Sequence, residues 1–209
     1  MPRASSRQLD ITPGDRVTLA SDGQAKAVRG RSAPMTDATA TSVYPGTSEG
    51  AIAAFFEHAN VAMTSSDKAR VECAFRDAME QLVLLHHYQA VHGPLPAERL
   101  AEFRRQSAPL LATGPHLGAY IWRAQFLAEG ANENYWYELS IRRSAIQLAL
   151  DDYPGPPVAD QINPEDVEQL DAELRRVGQF DEQGLIAPAY IPYGLPASHW
   201  WWHYPEELK

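Results

Sequence analysis

Seven histidines and five tryptophans hold much of the chemistry open to this chain of 209 residues. His86 and His87 sit side by side, with His92 close behind. Adjacent residues on a helix point about 100° apart, so these two imidazoles are poorly placed to share one metal ion. Dimetal bundles carry a Glu-x-x-His pair on each of two helices, and zinc peptidases carry His-Glu-x-x-His; neither occurs here. The expectation is imidazoles hydrogen-bonded across a bundle, with no metal and no cofactor. If the chain is an enzyme, His86, His87 or His116 with Glu80 or Glu133 are its candidate ligands or acid–base groups.

The string Ser198-His199-Trp200-Trp201-Trp202-His203 is the most unusual. A short turn capped by Ser198 would bring His199 and His203 to one face at i,i+4 spacing, which is half of a metal site. Three consecutive tryptophans cannot all face one way. Either two of them wedge between helices and fasten the segment down, or they anchor a partner, since tryptophan buries a large area and keeps a donor. Asp151-Asp152 stands where a helix should end, and carboxylates there meet the negative end of the helix dipole. It reads as a solvated loop pair or as an attachment point for a basic partner. Arg104-Arg105, Arg142-Arg143 and Arg175-Arg176 read as solvent-side partners of neighbouring acids, with Glu102 and Arg105 at i,i+3, or, if they converge, as a small anion site. Cys73, the sole cysteine, reads as buried rather than nucleophilic. Gly-x-Ser-x-Gly and glycine-rich phosphate loops are missing, and none of these strings is the signature of a known family.

The elements that would position these residues are helices. Ile52, Phe55, Phe56, Ala59 and Met63 follow helical spacing from Ser48-Glu49 onward. A second helix over 66–91, capped by Ser66 or Asp67 and closed by Gly93-Pro94, is apolar on several sides in its later half and so reads as the central one. Glu72/Arg76 and Arg76/Glu80 are expected as pairs on its outer face. Pro96 opens a third helix, which Pro109 kinks or ends. A fourth over 116–127 carries Tyr120, Ile121, Trp122 and Phe126. A fifth starts near Asn132 with Tyr135, Trp136, Leu139, Ile146 and Leu150 facing inward. Asn163-Pro164 starts the sixth, with Val167, Leu170, Leu174 and Val177 as its stripe.

The expected fold is therefore all-α, a bundle of five to six helices. Residues 1–48, poor in large apolar side chains, read as a mostly disordered tail in which Asp22-Gly23 marks one marginal hairpin; Met35 is an alternative start. Residues 49–209 read as one helical domain, with 180–209 an irregular aromatic arm packed on it.

The formal net charge is −9. Residues 1–34 carry +3, residues 35–150 carry −3, and residues 151–209 carry −9. Such acidity argues against a phosphate-backbone binder. No apolar run suits a membrane helix and no secretory leader is apparent, so a cytoplasmic setting is expected. The leading expectation is a non-enzymatic module that docks a basic protein, as a bacterial immunity or antitoxin protein does. Acidic charge would steer the encounter. The docking surface would comprise Trp200, Trp201, Trp202, Tyr204 and Tyr193, beside Asp151, Asp152, Asp181 and Glu182. The alternatives are an enzyme using core histidines, with His86, His87, His199 and His203 as weak metal candidates, and a structural subunit of an assembly.

Overall fold

The computed structural model describes residue 44 and residues 46–114, 116–130, 135–178, 186 and 188–203. Most of the tail with its hairpin, the Asn132 start, Asp181, Glu182 and Tyr204 lie outside them, while Ser48, read as the tail's last residue, is buried in the first turn of the first helix. The described residues form six α-helices and no strand: α1 (Ser48–Thr64), α2 (Lys68–His92), α3 (Ala97–Leu111), α4 (His116–Glu129), α5 (Trp136–Asp152) and α6 (Pro164–Gly178). No helix among them is long and apolar enough to cross a membrane.

The helix ends follow local chemistry. Thr47 Oγ1 accepts from the Gly50 N–H, and Asp67 Oδ1 accepts from Ala69 and Arg70 N–H, meeting donors that a helix start leaves unpaired. Gly93 ends α2 at φ +98°, a conformation glycine adopts freely. Asn163 Oδ1 accepts from the Glu165 N–H, and Pro164 begins α6 as its position requires. Pro109 does not end α3, which runs on to Leu111. Lacking an N–H, it forgoes one i→i−4 bond of the last turn.

α1 packs along α2, α5 lies against α2 and α4, and α4 lies against α6. Phe55 of α1 meets Phe103 of α3 edge to face, centroids 5.3 Å apart. Val167, Leu170, Leu174 and Val177 bury the α6 stripe as expected. The centre of the bundle differs from the expectation. α5, not α2, is enclosed on nearly every side: from Leu139 to Leu148 it presents one buried residue after another, broken only at Gln147. Arg142 and Arg143 are among them, 6% and 4% exposed, which corrects their reading as solvent-side cations. Each meets a carboxylate. Arg142 reaches Glu138 at 2.7 Å. Arg143 forms a two-armed pair with Asp171 of α6 at 2.6 and 3.1 Å. Tyr135, read as inward, is exposed.

Three smaller expectations also change. Arg76 pairs with adjacent Asp77 and Glu72 with Arg123 of α4, in place of the two i,i+4 pairs on α2; Glu102 and Arg105 do pair. Cys73 is exposed rather than buried.

The arm is pinned to α2 before it reaches its tryptophans. The Tyr193 N–H donates to His87 Nδ1 at 2.9 Å, and the two rings stack with centroids 5.5 Å apart. Gly194 follows at φ +75°. A Cβ there would stand 2.6 Å from Ala90 Cβ and 3.0 Å from His86 O. Gly194→Ala therefore combines backbone strain with a clash against a helix that cannot give way. It should cost about 2 kcal/mol or more and lower the midpoint of thermal unfolding by roughly 4–8 °C, measured by circular dichroism.

Candidate functional site

The Ser-His-Trp-Trp-Trp-His segment adopts a 3₁₀ turn over Trp200–Trp202, whose geometry converges on one hydroxyl. Ser144 Oγ, fully buried on α5, accepts from the indole N–H of Trp201 at 2.8 Å and of Trp202 at 2.7 Å. His199 Nδ1 lies 3.1 Å from the same oxygen. A serine hydroxyl has two acceptor positions and one proton, and an indole can only donate. Both acceptor positions are taken, so the serine proton goes to His199 Nδ1. His199 is thereby fixed as the neutral tautomer protonated on Nε2. Burial holds it neutral, pushing its pKa down to about 4, and the nearby positive charge of Arg143 acts in the same direction.

The Trp201 carbonyl is held as firmly. It accepts from Trp136 Nε1 at 3.0 Å and from Ser140 Oγ at 3.2 Å. The Arg143 guanidinium lies over the Trp201 ring, 4.4 Å from its centroid, and Arg175 lies over Trp200 at 4.8 Å. Trp201 and Trp202 are thus core residues. The segment fastens the arm down, and these two rings leave the docking surface expected of them. Trp200 is half-buried, and His203 is exposed while His199 is buried, so the two imidazoles do not share a site. Among the described residues no cluster of histidine, cysteine, aspartate and glutamate could hold a metal ion.

The acid pair divides. Asp151 is exposed and accepts from Gln147. Asp152 is half-buried, takes Arg104 on one oxygen and lies 3.0 Å from His86 Nε2 with the other. It ties α2, α3 and α5 together, and its charge is spent inside the molecule. His87 is buried, and burial lowers its pKa as well. Tyr193 remains exposed.

Two large rings of α4 lie outside. Trp122 and Phe126 are 59% and 57% exposed, stacked with centroids 5.7 Å apart and planes 20° off parallel. Their i,i+4 spacing sets them on a face of α4 apart from the buried stripe of Leu117, Tyr120, Ile121, Ala124 and Ala128. That separation was the available signal. α6 runs beside this helix, joined to it where Gln125 Nε2 donates to the Asp166 carbonyl at 2.8 Å. At that end Asp160, Glu165 and Glu168 are exposed.

Comparison with family profiles, with curated proteins and with solved structures finds no match to this chain.

Two outcomes test the arm's anchorage. Ser144→Ala leaves two buried indole donors and an imidazole without their shared partner, and at ~1–3 kcal/mol per unmet group should cost about 3 kcal/mol or more in urea unfolding. His199 binds a proton more readily unfolded, near 6.5, than folded, near 4. Stability should therefore be complete above about pH 6.5 and decline as pH falls toward 4, by up to ~3 kcal/mol from this group. His199→Gln should flatten that part of the profile.

Proposed function

We propose that the protein is a binding module that docks a basic protein partner, in the manner of an immunity or antitoxin protein that restrains a basic enzyme. The observation that carries the reading is the Trp122–Phe126 stack, two large rings held parallel in solvent on α4. Aromatic side chains of this size are the usual anchors of protein interfaces, because they bury much area with few rotatable bonds. Singly exposed hydrophobic residues are common, whereas a preformed aromatic pair on a rigid helix offers a partner a ready surface at small ordering cost.

Charge on the α6 flank of the stack suits a basic partner, while the flank lined by Lys68, Arg76 and Arg123 is itself basic. The acidic end of α6 stands beside this helix, and among the described residues Asp160, Glu165 and Glu168 make no ion pair with the chain itself. These acids also suit the start of a helix, which accounts for Glu165 but not for Glu168 or for Asp160 in the preceding turn. A basic partner would gain steering from them and affinity from the aromatic crest.

The full-length protein, used as bait in lysate of its source, should capture a protein with a strongly basic surface. Trp122→Ala or Phe126→Ala should weaken that capture about 30-fold, the scale of a hot spot, and half-molar salt should slow its formation. Capture unaffected by either substitution would overturn the reading. So would self-association of the pure protein through the same two rings, seen as a dimer that Trp122→Ala dissociates.

A further inference from the structure

A cavity of about 240 Å³ opens between the first half of α2 and α4, and its chemistry runs against that of the whole chain. The protein carries a net charge of −9. Yet the charged residues of this wall are Lys68, Arg76, Arg123 and Arg142 against Glu72 alone. Asp77 and Glu138, which pair with Arg76 and Arg142, are not part of it. Lys68 has no ion pair among the described residues. The remainder is largely apolar, with Phe75 and Trp122 supplying ring faces and His116 tilted against Phe75 at 5.6 Å.

Tyr120 also lines the cavity. The residue is 5% exposed, and its hydroxyl is buried without a hydrogen-bond partner. The Arg142 guanidinium above its ring, 5.1 Å from the centroid, accounts for the ring face and leaves the hydroxyl unmet. Buried hydroxyls nearly always have a partner, so an unmet one in the wall of a cavity is a donor awaiting an acceptor.

Size and lining together narrow the occupant. An apolar cavity of about 150 Å³ admits benzene; 240 Å³ has room for one ring with a small polar group. We infer that this cavity binds a monocyclic aromatic carboxylate, its ring between Phe75 and Trp122, its carboxylate toward the guanidinium groups and within reach of the Tyr120 hydroxyl. A bare inorganic anion would leave the ring faces unused, and a neutral ring would leave Lys68 and the phenol unmet, although Arg76, Arg123 and Arg142 each already hold a carboxylate of the chain. The site shares Trp122 with the proposed docking crest, but Tyr120 and Ala119 belong to the cavity argument alone, so the two readings stand or fall separately.

Cys73 supplies the reporter. It is the chain's one cysteine, it is exposed, and it lines the same cavity. Its alkylation by iodoacetamide should slow when the cavity is filled. The protection factor is 1 + [ligand]/Kd by mass action. With a Kd on the order of 1 mM for so small a ligand, about 10 mM benzoate should slow the reaction about tenfold. Benzamide, equal in shape and uncharged, and acetate, charged without a ring, should protect several-fold less at matched ionic strength. Tyr120→Phe should raise the benzoate Kd about five- to tenfold, the scale of one hydrogen bond, without lowering the thermal unfolding midpoint. Ala119→Phe, which fills the space, should abolish the dependence on benzoate. Equal protection by benzamide would reduce the feature to an apolar hole, and equal protection by acetate would reduce it to a general anion patch. Either result, or an unchanged affinity in Tyr120→Phe, overturns the assignment.

Discussion

One serine hydroxyl decides how the chain closes. Ser144 Oγ is reached by two indoles and one imidazole, all carried on the segment His199–Trp202. At the serine the donors and acceptors balance in one arrangement only: indole, indole, then the serine proton to Nδ1, which leaves the buried His199 Nε2 without a partner. Burying two tryptophans removes a large apolar area from water, but an unmet indole N–H would cancel much of the gain. Ser144 meets both, so the aromatic surface can be buried outright. Val or Ala at that position would leave the same rings without a partner. This is why a fully buried site in the bundle holds a small polar residue, and why the helix that carries it must be central.

Placing α5 at the centre creates a second problem, since Arg142 and Arg143 come with it. A buried guanidinium is costly unless its charge is met. Arg143 meets the requirement by touching three elements at once. It forms a two-armed pair with Asp171 of α6, donates to Gln147 on its own helix, and lies over Trp201 of the arm. Such pairs add little net stability over an apolar core, and their better-attested use is to fix one arrangement among several. Here the arrangement fixed is the register of α6 and the arm against α5. An apolar side chain at 143 would pack but would tolerate sliding; the fork of Arg143 against a carboxylate does not.

Helix positions were legible in the sequence because their signals are local. Asp67, Gly93 and Asn163-Pro164 act on backbone groups within a few residues, and the stripe of α6 follows from spacing alone. The identity of the central helix was not legible. Periodicity assigns polar residues to the outside, and α5 breaks that rule with Ser140, Arg142, Arg143 and Ser144. Their partners lie far along the chain, at Asp171 and at the arm, so no window around α5 reveals them. The same blindness acts in reverse on α4, where Trp122 and Phe126 look like core by type and are surface by angle. Of the residues whose types suggest a docking surface, Tyr193 and Asp151 are exposed, while Trp201, Trp202 and Asp152 are occupied within the molecule.

The outward rings of α4 follow from what it buries. Its inner face uses Ala124 and Ala128, both fully enclosed, and Gly118 faces the Gln161 carbonyl. Small residues let α4 approach α5 and α6 closely, leaving no space on that side for an indole or a phenyl ring. Trp122 and Phe126 therefore cannot turn inward without opening the α4–α6 contact, and they stack on each other instead. On one flank of that crest the chain places the acidic end of α6, and on the other the basic cavity lined by Arg76, Arg123 and Arg142. A protein of net charge −9 thus offers two unlike environments across one helix, and the total charge describes neither of them.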